Sequence, residues 1–256
     1  MLRALMLAAA GLVLACAGSP ADAADSVPSY ITAAVADGAR PEADRARDAE
    51  RKPAATLAFS LVRPGDNVVE LAPGRGYYTR LLSAAVGPRG HVYALVAPPE
   101  AGSDHPAVPN AALQALASDP HYANVTVLVQ PYYELTGVPA ARVDLAWTSE
   151  NYHDFHNLPD VDVYGINRAI WQVLRPGGTY LITDHAAARG SGARDTATLH
   201  RIDPQLVLRE LLDANYELNG ASDALRNPGD PHTAKVFDDS IRGHTDQFIL
   251  RFRKLR

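Results

Sequence analysis

The sequence has one cysteine, Cys16, in 256 residues. A lone thiol closes no intrachain disulfide, so the core alone must hold the fold. No block of like charge runs longer than a few residues, and the formal net charge is -5. That excludes a basic stripe of the kind that tracks a polyanion, and no nucleic-acid partner is expected. No apolar run reaches the ~20 residues of a comfortable membrane span. Internal repeats and low-complexity tracts are also missing. What remains is 47% hydrophobic and 21% charged, which suits one globular domain with a sizeable core.

The first residues differ from the rest. Arg3 gives a short positive start, ALMLAAAGLVLACAG follows, and Ala21 and Ala23 stand in A-x-A spacing. This pattern predicts a secretory signal peptide over 1–23, cut after Ala23, and so an exported, periplasmic protein. Losing that segment removes Arg3 and Asp22 together, so the net charge is unchanged. VLAC also resembles a lipobox, in which Cys16 would carry a lipid anchor; Leu14 fits its position poorly, and simple cleavage is preferred. A buried N-terminal helix is the alternative, but the run has no amphipathic period.

Residues 24–62 read as a helical arm, with a short helix in SVPSYITAAVAD and a longer one from Pro41, interrupted at Pro53. The mixed charges of ADRARDAERK suit a solvated face, with a smaller prospect that Asp48, Arg51 and Lys52 fold over a ligand cleft. From residue 63 to 256 the pattern alternates. NVVELA, HVYALVA, VTVLVQ, VDLAWTSE and TYLITDHAA read as strands. YYTRLLSAAV, NAALQALASD, VDVYGINRAIWQVL and DPQLVLRELLDAN read as helices, the third ended by the PGG turn at 176–178 and the last capped by Asp203. Such alternation implies an α/β fold, a mostly parallel sheet covered on both faces. YELNGAS and TDQFILRFRK look like two last strands without a helix between them, so the final one should insert antiparallel. PPEAGSDHPAVPN, at 98–110, reads as a loop.

In such a sheet, ligands bind beyond the carboxyl ends of the strands where strand order reverses. The turn after the first strand, E-L-A-P-G-R-G over 70–76, is the candidate. Glycine there lets a ligand approach main chain. The dinucleotide pattern G-x-G-x-x-G fails, because Tyr77, Tyr78 and Thr79 follow Gly76. The P-loop pattern fails too, for want of Gly-Lys-Ser/Thr. An acidic residue and two glycines without phosphate chemistry suit a cationic or hydroxyl-rich ligand.

With these motifs the chain resembles the class I S-adenosylmethionine-dependent methyltransferases over about residues 60–187. LVRPGDNVVEL, VVELAPGRG, VDLAWTSENYHDF and LRPGGTYLITDH carry the likeness. RKPAATLAF, LHRIDP, LRNPGDPHTAKVFD and IRGHTDQFILRFRK further resemble a group of bacterial predicted methyltransferases, many with export signals. The resemblance implies a Rossmann-like seven-stranded sheet with an antiparallel last strand. It implies S-adenosylmethionine as cofactor, held by Glu70 and the backbone at Ala72, Gly74 and Gly76. Tyr78, Asn151 and Tyr152 would line the same pocket. Three positions depart from the family pattern. Ala72 replaces its first glycine, and Val96 stands where an acid binds the ribose, with Glu100 a substitute four residues on. Gln130 and Pro131 stand where an acid often approaches the adenine.

Methyl transfer from a sulfonium is an in-line displacement that needs an aligned nucleophile and often a base, with no metal. His153, His185 and Asp184, at the ends of strands four and five, are the candidate catalytic residues. Histidine suits the base role because it titrates near neutral pH. His156 reads as packing. His153, His156, Asp154, Asp184 and His185 could gather a divalent metal, but spacing gives no ligand set and no metal is expected. His200, Arg201, Asp203, Arg226, Asn227, Asp230, His232 and Arg242 form a late cluster. They suit either an anionic acceptor or salt bridges tying the last strands to the body. A methyltransferase acting on a small acceptor is the leading reading. A non-catalytic exported binding protein on the same fold competes with it, and a metal-dependent hydrolase is a third reading.

Overall fold

The first strand, β1 (Asn67–Leu71), shows why the chain folds as it does. Val68, Val69 and Leu71 put apolar side chains on both of its faces, so it must be covered twice and flanked twice. The computed structural model describes residues 27–98, 111–159 and 162–255. The expected signal segment with Cys16 and Ala23, and most of the 98–110 loop with Glu100, lie outside the described residues.

The arm comprises α1 (Ser29–Val35), α2 (Glu42–Arg45), α3 (Asp48–Arg51) and α4 (Pro53–Ser60). After β1 come α5 (Tyr77–Val86), β2 (His91–Val96), α6 (Ala111–Ala117), β3 (Val125–Val129) and β4 (Val143–Ser149). Then follow α7 (Tyr152–Phe155), α8 (Val163–Val173), β5 (Leu174–His185), α9 (Thr196–Leu199), α10 (Pro204–Asp213), β6 (Tyr216–Ser222) and β7 (Gln247–Lys254). The seven strands stand in the order β3-β2-β1-β4-β5-β7-β6. Among the described strands β7 alone runs opposite to the rest, pairing antiparallel with β5 and β6. The order reverses between β1 and β4, which is where a doubly wound sheet opens a crevice.

Alternation along the strands sorts the core into two layers. Val69, Leu71, Tyr180, Ile182 and Phe252 pack against Ile166 and Ile170 of α8 and Val207 and Leu211 of α10. Val68, Val92, Leu145, Trp147 and Leu181 pack against Ile31, Leu57, Leu81, Leu82 and Leu113 from α1, α4, α5 and α6. Each fully buried Leu or Ile contributes roughly 1.5–3 kcal/mol, so the arm's apolar residues are part of the fold. Asp203 caps α10 by accepting the Gln205 amide, as its sequence position predicts.

Two expectations need correcting. The helix expected from Pro41 is three short pieces, because its charged residues are drawn into tertiary contacts. Arg40, fully buried, clasps Asp48 through two nitrogens at 2.6 and 2.9 Å. Lys52 takes φ +42° and breaks the chain direction before Pro53. The 176–178 PGG turn lies inside β5 instead of before it. Gly177 takes φ +74°, and the β4–β5 register shifts between Val143 and Leu145. The segment is a bulge that bends the strand, not a stop.

Candidate functional site

Beyond the carboxyl ends of β1 and β4 lies a cleft of about 310 Å³. Its floor is Glu70, Leu71, Ala72, Pro73 and Gly74, with Ser149, Glu150 and Asn151 opposite. Ala72 and Gly74 take φ +50° and +56°. A Cβ placed on Gly74 would meet nothing within 4 Å, so packing inside the protein does not require glycine there. Its use leaves main chain uncovered by a side chain at the cleft. Asn151 Nδ2 donates to Ala72 O at 3.1 Å and ties the β4 loop to the β1 loop.

Glu70 is almost wholly buried within this floor and accepts the Thr79 hydroxyl at 2.6 Å. Burial raises its carboxyl, while Thr79, Arg51 and Arg80 pull it back down; the balance leaves it at about 7. Gly76 caps α5 and does not reach the cleft. Its φ is +86°, and a Cβ there would lie 2.8 Å from Leu116 Cδ1 of α6. Gly76→Ala is therefore expected to destabilise the protein by about 1–3 kcal/mol in urea denaturation.

The arm roofs the cleft. Ala43, Asp44, Arg47 and Arg51 line it from above. Arg51 pairs with Glu150 and sits 4.8 Å from the Tyr77 ring centre. Arg47 stands 3.9 Å from the same carboxylate. The Tyr77 hydroxyl donates to Asp48 at 2.7 Å, and Arg80 pairs with Asp44 at 3.0 Å. Tyr78 packs on Trp147 with ring centres 4.7 Å apart, and burial pushes its hydroxyl up to about 12.

A second cavity, about 480 Å³, shares Arg47, Arg51 and Glu150 with the first. His185, Val236, Phe237, Arg242, Thr245 and Gln247 help to complete it. His185 ends β5, its Nδ1 is 2.7 Å from Thr245 Oγ1, and burial holds its ring below the ordinary histidine value. It is therefore neutral at pH 7 and able to take a proton.

Behind His185 the arrangement is different. His153 Nδ1 lies 2.8 Å from Asp184 Oδ1, and its amide donates to Asp184 Oδ2 at 2.7 Å. Burial disfavours a proton on His153, but Asp184 and Asp154 outweigh it and raise the ring to about 10. This histidine holds its proton at neutral pH and lines neither cavity, whereas His185 lines the second. Asp184 is fully buried and holds the His153 ring and amide.

Of the cofactor residues expected from the sequence, the structure gathers Glu70, Ala72, Gly74, Tyr78 and Asn151 around one cleft. Gly76, Gln130 and Tyr152 stand apart from it. Gln130 Oε1 accepts the Gly137 amide at 3.2 Å. Tyr152 is fully buried; its hydroxyl donates to Glu210 at 2.9 Å and accepts from Asn167 at 2.8 Å, so it anchors α7 on α8 and α10. Asp44 and Arg47 are cleft residues that the sequence does not single out, and the mixed-charge run ADRARDAERK is their only signal. Arg51 does fold over the cleft, whereas Asp48 does not line it and is held by Arg40 and the Tyr77 hydroxyl, and Lys52 Nζ reaches away to Ala224 O at 2.7 Å.

No protein-family model matches the sequence. No curated protein matches it either. Solved structures do. A SAM-dependent methyltransferase from Aquifex aeolicus is 17% identical, with 84% of this chain and 96% of that chain covered and a TM-score of 0.59. The [4+2]-cyclase SpnF is also 17% identical, covering 89% of this chain and 92% of that one, with a TM-score of 0.58. Aeropyrum pernix fibrillarin, solved with natively bound S-adenosyl-L-methionine, is 18% identical over 80% of this chain and 76% of that one, TM-score 0.51. At such identities the likeness is one of fold, and the fold is the Rossmann-like one of these methyltransferases.

Proposed function

We propose that this protein is an S-adenosylmethionine-dependent methyltransferase acting on a small acceptor. One observation carries the reading: the cleft at the strand-order reversal and a second cavity beside it share Arg47, Arg51 and Glu150, so ligands bound in the two would be neighbours. The first suits the methionine end of the cofactor. Glu70 offers a carboxylate, and the turn at Ala72 and Gly74 lets a ligand lie close to the backbone. The second would hold the acceptor, with Arg242 supplying fixed positive charge for an anionic group and His185 serving as base. In this reading His185 Nδ1 keeps its proton toward Thr245, and Nε2 takes the proton of the nucleophile as its lone pair forms the bond to the methyl carbon. S-adenosylmethionine bound beside Glu70 would supply the methyl group, with its sulfur keeping the bonding pair as a neutral thioether.

Calorimetric titration with S-adenosylmethionine and with its demethylated product tests this. Micromolar binding of both is expected, weakened at least ~10-fold in Gly74→Val, where a β-branched side chain meets a left-handed backbone and fills the floor. No binding of either ligand overturns the reading.

The competing reading, a non-catalytic binding protein, draws on Val96, which supplies no carboxylate for a ribose. Export, with cleavage after Ala23 or lipidation at Cys16, belongs to the same proposal, as does the closer likeness to exported bacterial methyltransferases. The mass of the N-terminal peptide distinguishes cleaved, lipidated and intact forms.

A further inference from the structure

Outside the two cavities, three side chains from two separate segments converge on one point. His153 and Asp154 lie on α7, and His200 directly follows α9. His153 Nε2 is 3.3 Å from His200 Nδ1 and 3.3 Å from Asp154 Oδ1. His200 Nδ1 is 3.6 Å from the same Asp154 oxygen. Three atoms, each able to offer a lone pair once His153 Nε2 gives up its proton, thus form a nearly equilateral triangle. A tetrahedral ion with bonds of ~2.0–2.1 Å spaces its ligand atoms ~3.3–3.4 Å apart, which is close to these edges.

A second observation concerns the outer side of the cluster. Asp184, fully buried, stands 2.8 Å from His153 Nδ1 and is itself fixed by the amides of His153 and His185, both at 2.7 Å. With Nδ1–H donated to Asp184, Nε2 points into the triangle, and a bound ion would take the place of the proton there. Metal-bound histidines are oriented by a carboxylate in this way. The third observation is access. His153 is buried, whereas Asp154 and His200 are partly exposed, so a fourth coordination position opens outward.

We propose that His153, Asp154 and His200 bind one divalent transition-metal ion, with Asp184 as the carboxylate behind His153. Two imidazole nitrogens and one carboxylate oxygen select zinc, cobalt or nickel over magnesium or calcium, which take oxygen ligands. The site adjoins the second cavity: the His200 ring packs on Phe237, with centres 5.0 Å apart, and the His153 ring lies 6.2 Å from that of His185. It does not depend on the methyltransferase reading, since its ligands line neither cavity.

The test uses tag-free protein stripped with a chelator and then titrated with zinc against a chromophoric competitor. One equivalent should bind with micromolar or tighter affinity. Cobalt should give the visible absorption of a four-coordinate ion, and magnesium should not compete. His200→Ala and Asp154→Asn, both at partly exposed positions, should each weaken zinc binding at least ~100-fold and abolish the zinc-induced rise in Tm. Asp184→Asn should weaken it by ~10–100-fold. His121→Ala, which removes a histidine paired instead with Asp37, should bind as the parent does. Failure of the parent protein to bind one equivalent overturns the proposal, and so does binding that survives both His200→Ala and Asp154→Asn. In either case the triangle is closed by a proton between His153 and Asp154. Every readout is metal binding, so the outcome is separate from that of the S-adenosylmethionine titration.

Discussion

Arg201→Ala is expected to cost about 3–5 kcal/mol of stability, the amount typical of breaking a buried ion pair and leaving one charge behind. Arg201 and Asp230 have fully buried side chains. Arg201 donates to Asp230 through Nη1 at 2.8 Å and Nη2 at 3.2 Å. It also donates to Ala186 O at 3.0 Å and Ala234 O at 2.9 Å. Asp230 in turn accepts the amides of Asp246 and His232, at 2.7 and 2.9 Å. Removing the guanidinium strands a carboxylate and two carbonyls in a dry interior. Arg201→Lys should recover little, because a single ammonium cannot match this fork. Urea denaturation measures the loss; a cost under ~1 kcal/mol would show that the pair does not tie the segment down. The same link holds the chain between β6 and β7, which carries Val236, Phe237 and Arg242 into the second cavity. A loosened wall should therefore accompany the lost stability.

This network also shows where sequence reading stops. Arg201, Asp203, Arg226, Asp230 and His232 are visible as a polar cluster, but an anionic binding surface and a set of structural bridges look alike in one dimension. The structure shows bridges for most of them: Asp246 accepts from Arg226 Nε at 2.8 Å and lies 3.0 Å from His232 Nε2. Arg242 alone of the group lines the cavity. The sheet was legible because alternation and turn residues are local signals, and its antiparallel last strand followed from a missing helix. The loop at 70–76 was legible for the same reason. The roof over it was not. Asp44, Arg47, Asp48 and Arg51 look like a solvated helix face until Arg40, Tyr77, Arg80 and Glu150 draw each of them inward, and Glu150 lies 99 residues from Arg51. His153 and His185 were both candidates for base, His153 ahead, and only the structure shows that Asp184 raises the first ring while burial lowers the second.

Glu70→Gln should raise stability by about 3 kcal/mol at pH 8 relative to its effect at pH 4, through removal of one buried titration. The folded carboxyl is raised from an ordinary value of 4.5 to about 7. Below the ordinary value, Glu70 is protonated in both folded and unfolded chains and contributes no pH dependence. As pH rises from there toward about 7, the unfolded chain gives up the proton while the folded chain still holds it. The unfolded state is then favoured by ionisation, and stability falls until the folded carboxyl ionises as well. Glutamine keeps the volume and can accept the Thr79 hydroxyl, so the variant should lack this one contribution across the same window. Denaturation of parent and variant at several pH values reads the difference directly, and parallel curves would show that Glu70 carries no raised pKa. A cationic ligand above the carboxylate adds a second readout. Because such a ligand favours the ionised form, the parent's affinity for S-adenosylmethionine should increase through the pH range in which Glu70 titrates, while that of Glu70→Gln should be lower and carry no such increment.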